Sequence, residues 1–91
     1  MAFVVRWSRP CDQERALARE RWAAYASHVE GTRAEVEARA VLSALDADLD
    51  EAMRRGESML AAPEPDDTAG ASMYREAMER LVLADGACSA D

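Results

Sequence analysis

The chain has 91 residues, a formal net charge of −7 and a mean hydropathy of −0.34, enough for one domain. A domain of this size buries only about 60–68% of its unfolded surface, so its core is thin. The acidic balance disfavours nucleic acid and anionic membranes as direct partners and favours basic surfaces or cations.

Composition narrows the class further. Twenty alanines supply much of the apolar content, and the aromatics are Phe3, Trp7, Trp22, Tyr25 and Tyr74. Alanine favours helix strongly but buries little area, so the expected fold is helical and modestly stable. All eleven basic residues are Arg, and Lys, Ile and Asn are absent. That bias points to a GC-rich coding source, a high-GC bacterium or its phage. Cys11 and Cys88 are too few and too far apart for a metal quartet or a CxxC pair. They are expected to be reduced, incidental thiols. Phe3-Val4-Val5, cut off by Arg6, is too short for a secretory apolar region. No run approaches the roughly 20 apolar residues of a membrane span. The expected setting is the bacterial cytoplasm.

Residues 2–7, Ala-Phe-Val-Val-Arg-Trp, read as a short strand or extended arm closed by Pro10. A lone strand needs a partner for its backbone. The run Glu57-Ser58-Met59-Leu60-Ala61, a second copy of the chain giving a homodimer, or another protein's sheet edge are the choices. A first helix is expected from Cys11 to Val29, capped by Ser8 or Asp12 and ended by Gly31. Ala18, Trp22, Tyr25 and Val29 share its apolar face, with Leu17 alongside.

Thr32-Arg33-Ala34-Glu35 has the form of a capping box and predicts a second helix running to Arg55 and stopping at Gly56. Ala38, Val41, Leu42, Leu45, Leu49, Ala52 and Met53 form its stripe. Glu35–Arg39, Asp50–Arg54 and Glu51–Arg55 have favourable i,i+4 spacing. Pro63-Glu64-Pro65-Asp66-Asp67 forbids helix, so residues 63–69 are expected to be a loop. A last helix, capped by Thr68 or Ser72, should cover residues 70–84, with Tyr74, Met78 and Leu81 on one face and Ala77 and Val82 beside them. Gly86 is its expected stop, with residues 87–91 as tail. The fold class expected is mainly α: a small single domain of three helices with a short N-terminal strand or arm.

Residues 46–67 hold eight carboxylates against Arg54 and Arg55, which accounts for six of the seven net negative charges. Asp46, Asp48, Asp50 and Glu57 fall at positions one, three, five and twelve of an EF-hand loop. Glu51, however, occupies the sixth position, which needs glycine, and Leu49 belongs to the helical stripe. A solvated acidic helix end is the better reading, with no metal and no cofactor expected. His28 is the single histidine, without a nucleophile or carboxylate at local spacing, and suits a helix C-terminus. No catalytic constellation, glycine-rich phosphate loop or basic patch is read, so the chain is expected not to be an enzyme.

The expected function is that of a small protein-binding inhibitor or modulator. Asp46, Asp48, Asp50, Glu51, Asp66 and Asp67 would face a basic partner, with Phe3, Val5 and Trp7 as an apolar contact. Blunting a nucleic-acid-processing machine, as an anti-CRISPR protein does, is one example of that class. The alternative is a non-catalytic accessory or structural subunit of a larger bacterial complex, joined through the N-terminal arm.

Overall fold

The computed structural model describes residues 10–59 and 67–90. These form four helices: α1 (Pro10–His28), α2 (Arg33–Leu45), α3 (Leu49–Ser58) and α4 (Thr68–Ala90). No strand occurs among the described residues. The expected strand, with Phe3, Val5 and Trp7, lies outside them, as do Ser8 and the Pro63–Asp66 stretch. Of the run proposed as its pairing partner, Glu57 and Ser58 end α3 and Met59 is its buried C-cap, so these three are not strand, while Leu60 and Ala61 lie outside the described residues.

Pro10 opens α1, a position where its missing N–H removes no helical hydrogen bond. Gly31 turns the chain after α1 at φ +84°, a left-handed conformation that favours glycine. That turn alters the capping box. The N–H of Gly31, not of Thr32, donates to Glu35 Oε1 at 2.9 Å, and the Thr32 hydroxyl donates back to the Val29 carbonyl at 2.6 Å. The Gly31 N–H, with Arg39 beside it, holds the Glu35 carboxyl below the usual range.

The expected single helix from Thr32 to Arg55 is two helices. Ala44 O accepts the N–H groups of both Ala47 (3.0 Å) and Asp48 (2.6 Å), which tightens and ends α2. Asp48 Oδ1 then accepts from the N–H groups of Asp50 (3.0 Å) and Glu51 (3.3 Å), capping α3. Short Asp side chains compete for backbone donors in this way, and here local chemistry overrides the continuous apolar stripe. The stripe still faces inward on both pieces: Ala38, Val41, Leu45 and Ala52 are buried, and Leu42, Leu49 and Met53 pack against them.

The last helix is longer than expected at both ends. Asp67 precedes it: Oδ1 accepts the Gly70 N–H at 2.7 Å and its carbonyl accepts the Ala71 N–H. Thr68 lies inside the helix, and Gly86 does not stop it. The open space around Gly86 shows that no packing demands glycine there. Residues 87–90, expected as tail, are helical.

α1 and α4 pack most extensively and run antiparallel, since Cys11 meets Cys88 at one end and His28 meets Asp67 at the other. Ala18, Ala26, Ala77 and Ala84 are fully buried; side chains this small allow helix axes to approach closely. Trp22, Tyr25 and Tyr74 form the aromatic centre with ring centroids 5.8–6.0 Å apart, two of the three contacts edge-on. Gly56, expected as a helix stop, lies inside α3 against this cluster. A Cβ there would stand 2.7 Å from Met78 Sδ and 3.4 Å from Trp22 Cζ2. The Tyr74 hydroxyl donates to the Gly56 carbonyl at 2.6 Å. Burial pushes the Tyr74 phenol up to about 12, with Tyr25 and Glu57 adding to it. Val82, expected beside the core, is 52% exposed.

Candidate functional site

The α2–α3 corner gathers four of the six carboxylates singled out from the sequence. Asp46 follows the last residue of α2, Asp48 caps α3, and Asp50 and Glu51 stand in its first turn. Each has a different surrounding. Asp46 is exposed and pairs with Arg19 of α1. Asp48 has one oxygen engaged by the two backbone N–H groups that it caps. Glu51 takes Arg54 at 2.5 Å and Arg55 at 2.8 Å, and Arg54 chiefly holds its carboxyl below the ordinary range. Asp50 is exposed and joins no ion pair among the described residues. The expected Asp50–Arg54 pair is replaced by Glu51–Arg54, while Glu35–Arg39 and Glu51–Arg55 form as expected.

Asp67 does not join this corner. It stands at the start of α4, where His28 Nε2 approaches its two oxygens at 3.2 and 3.1 Å. The Gly70 N–H and then His28 hold its carboxyl low. His28 therefore both ends α1 and ties it to α4. Its position lies nine residues along α1 from Arg19, the partner of Asp46, or about 13 Å of helix. Asp66, Phe3, Val5 and Trp7 lie outside the described residues.

The EF-hand spacing does not produce a converging set of oxygens. Asp46 turns to Arg19, Asp48 to backbone donors, and Glu57 stands at the far end of α3. No cluster of three or more metal-capable side chains occurs among the described residues. An open groove of about 390 Å³ adjoins the corner between α2 and α3, lined by Ala40, Ser43, Ala44, Glu51 and Arg55. Its floor is small-residue helix surface and its rim is the Glu51–Arg55 ion pair, so it is an open depression and not an enclosed cavity.

Two features escape a reading of the sequence. The outer side of α4 carries Val82 and Leu83, each about half exposed, beside Met78, Arg75 and Glu79 in a shallow apolar groove. Helical spacing put Leu81 on the inward face and Val82 beside it; the packing of α4 leaves Val82 outside. The other is the Cys11–Cys88 disulfide, Cα–Cα 4.5 Å, where reduced incidental thiols were expected. Sequence separation of 77 residues hid the pairing; antiparallel packing of the first and last helices creates it.

No described helix is long and apolar enough to cross a membrane. No protein-family model, curated protein or solved structure matches this chain, so the functional reading rests on its own residues.

Proposed function

We propose that this protein is a small acidic protein-binding inhibitor or modulator that presents its α2–α3 corner to a basic surface. The carrying observation is the concentration of Asp46, Asp48, Asp50 and Glu51 within six consecutive residues, on a turn and helix start whose backbone is held by its own cap. Internal pairing leaves the corner acidic. The four carboxylates of residues 46–51 meet Arg19, Arg54 and Arg55, which leaves the corner one negative charge in excess, with Asp48 and Asp50 outside any ion pair among the described residues. The core contains no buried charged residue, so the charge of the described helices is carried at the surface. A rigid corner of this kind aligns carboxylates before contact and steers a cationic partner through long-range attraction.

The partner class proposed for this surface is a basic groove of a nucleic-acid-processing machine, with the anti-CRISPR-like class of phage or high-GC bacterial inhibitors as the example. The setting would be the cytoplasm of the bacterial cell. Asp67, at the start of α4, would contribute at the edge of the contact, and Asp66 is kept as a candidate contact from the sequence alone. The second reading, a non-catalytic accessory subunit, draws support from the exposed Val82 and Leu83 on α4, with the Phe3, Val5 and Trp7 arm as a further apolar contact or dimerisation element.

Capture of a partner from a high-GC bacterial lysate, followed by surface plasmon resonance across a salt series, separates the two. The acidic-corner reading expects association to slow steeply between 0.1 and 1 M salt, as the Debye length falls from about 10 to about 3 Å. Binding that holds or strengthens with salt and is lost on Val82→Ser with Leu83→Ser would establish the apolar reading instead.

A further inference from the structure

The outer side of α4 carries features that the fold of one chain does not use. Thr68, Ser72, Arg75, Glu79, Val82 and Gly86 are all exposed and follow one another at alternating spacings of four and three residues, so they share one face. Val82 and its neighbour Leu83 put apolar surface on it. Arg75 and Glu79 join no ion pair among the described residues, although they stand one turn apart. An Arg that precedes its Glu is the less favourable order for pairing within a helix. The neighbouring charges are engaged on another side: Glu76 meets Arg21 and Arg80 meets Glu14, both on α1. Gly86 weakens the helix relative to alanine, yet a Cβ there would meet nothing within 4 Å. A glycine that no internal packing requires leaves room for another backbone to approach.

We propose that this face binds a second copy of the chain, α4 against α4 in an antiparallel pair about a two-fold axis level with Ala77. Such an axis pairs residues equally far before and after it along the helix. Arg75 then meets Glu79 of the second copy, and Glu79 meets its Arg75, which gives two ion pairs at the centre. Val82 and Leu83 cover Ser72 and Ala71 of the second copy, and Gly86 lies over Thr68. Large side chains thus meet small ones on both sides of the axis, and each contact occurs twice, as a two-fold interface requires. A parallel two-fold pair would instead set Arg75 against Arg75 and Glu79 against Glu79, so charge selects the antiparallel one. Two costs keep the dimer weak. The net charge of −7 on each copy opposes assembly, and the face of one helix falls at the low end of interface sizes, below about 1,200 Å² in total. Dissociation constants in the micromolar range or above follow. The dimer carries two acidic corners, which a partner with two basic sites would hold together. The pairing itself does not rest on the acidic-corner reading, and its test needs no other partner.

Sedimentation velocity on the purified full chain, from about 5 to about 500 µM at about 0.15 M salt, should show monomer passing to dimer. Arg75→Glu and Glu79→Arg should each weaken self-association by about tenfold or more, because each puts like charges across the axis. Mixed in equal amounts, the two variants should form a heterodimer within about threefold of the original affinity, since every cross pair is then opposite in sign. Gly86→Leu should also weaken the dimer by about tenfold, by filling the space the second backbone needs, while the monomer stays helical. Circular dichroism checks each variant; if a charge variant does not fold, the concentration series and Gly86→Leu decide. A monomer at every concentration, a dimer indifferent to these changes, or charge variants that do not recombine on mixing would overturn the proposal.

Discussion

On its inner side α3 presents Ala52 and Gly56 to the core, with Gly56 against Trp22, Met78 and Leu81. On its outer side, within the same ten residues, it carries Asp50, Glu51, Arg54 and Arg55. The inner face tolerates no additional atom without movement. The outer face is held by a cap and by exposed ion pairs, which contribute little to stability individually. One short helix thus joins a region where shape decides to a region where charge decides. Changes on the first should act through folding, and changes on the second through association.

The largest effect should come from emptying the inner side. Trp22→Ala removes the ring that contacts both Tyr25 and Tyr74 and should cost about 3–5 kcal/mol. Small domains have only about 5–15 kcal/mol in total, so the variant should be close to unfolded by denaturant melt. A loss under about 1 kcal/mol would mean that the aromatic cluster is not the centre of the core.

Overfilling the same place is the next test. Gly56→Val forces Met78 Sδ and Leu81 Cδ2 away from a Cβ that would start 2.7 and 3.2 Å from them. It should destabilise by about 1–3 kcal/mol, even though glycine is the poorer helix former. Stabilisation would mean that the inner side of α3 has room.

Tyr74→Phe keeps the ring and deletes the hydroxyl that donates to the Gly56 carbonyl, for an expected loss of about 1 kcal/mol. It also changes the pH profile. The phenol is pushed from 10.0 to about 12 by burial, so the unfolded chain releases its proton first. Stability from this group is complete below the unfolded value and is lost as pH rises through the window between the two. Tyr25, raised chiefly by burial and then by Asp67, adds to the same loss. Unfolding melts between pH 9 and 12 should show a shallower alkaline decline in the Phe variant.

How much of this was legible in the sequence differs between the two faces in the same way. The inward residues of α1 and of the α2–α3 stripe follow helical spacing, so Ala18, Trp22, Tyr25, Val41, Leu45 and Ala52 were readable one by one. The break at Asp46–Asp48 was not, because the apolar period continues across it, while the tightened turn at the Ala44 carbonyl ends α2 and the Asp48 side chain starts α3. Gly56 was misread for a related reason. A glycine near a helix end resembles a stop, and its role as a packing gap depends on Met78 and Trp22, which are distant in sequence. On the charged side, the acidic run was obvious, but its separation into the α2–α3 corner and the His28–Asp67 contact depends on where α4 returns along α1. The disulfide was hidden by the same long-range closure.

On the outer face the effects should be smaller and should depend on whether the cap survives. Asp48→Ala removes the acceptor for the N–H groups of Asp50 and Glu51 and should cost about 1 kcal/mol. Asp48→Asn removes the charge but keeps the cap and should change stability by only a few tenths of a kcal/mol, since the two are similar N-caps. Equal losses in both variants would show that the charge, not the cap, holds the corner.

That distinction permits the most direct test of the central claim, that the outer face serves association and not folding. A variant carrying Asp46→Asn, Asp48→Asn, Asp50→Asn and Glu51→Gln keeps the α3 cap and the shape of the corner while removing its negative charge. Its association rate with the captured partner, measured by surface plasmon resonance beside a denaturant melt of the same sample, should fall at least tenfold at 0.1 M salt. The gap should close toward 1 M salt, and the melt should stay within about 1 kcal/mol of the unaltered protein. An unchanged association rate with an unchanged melt would contradict the claim and leave the acidic corner as a solubilising surface.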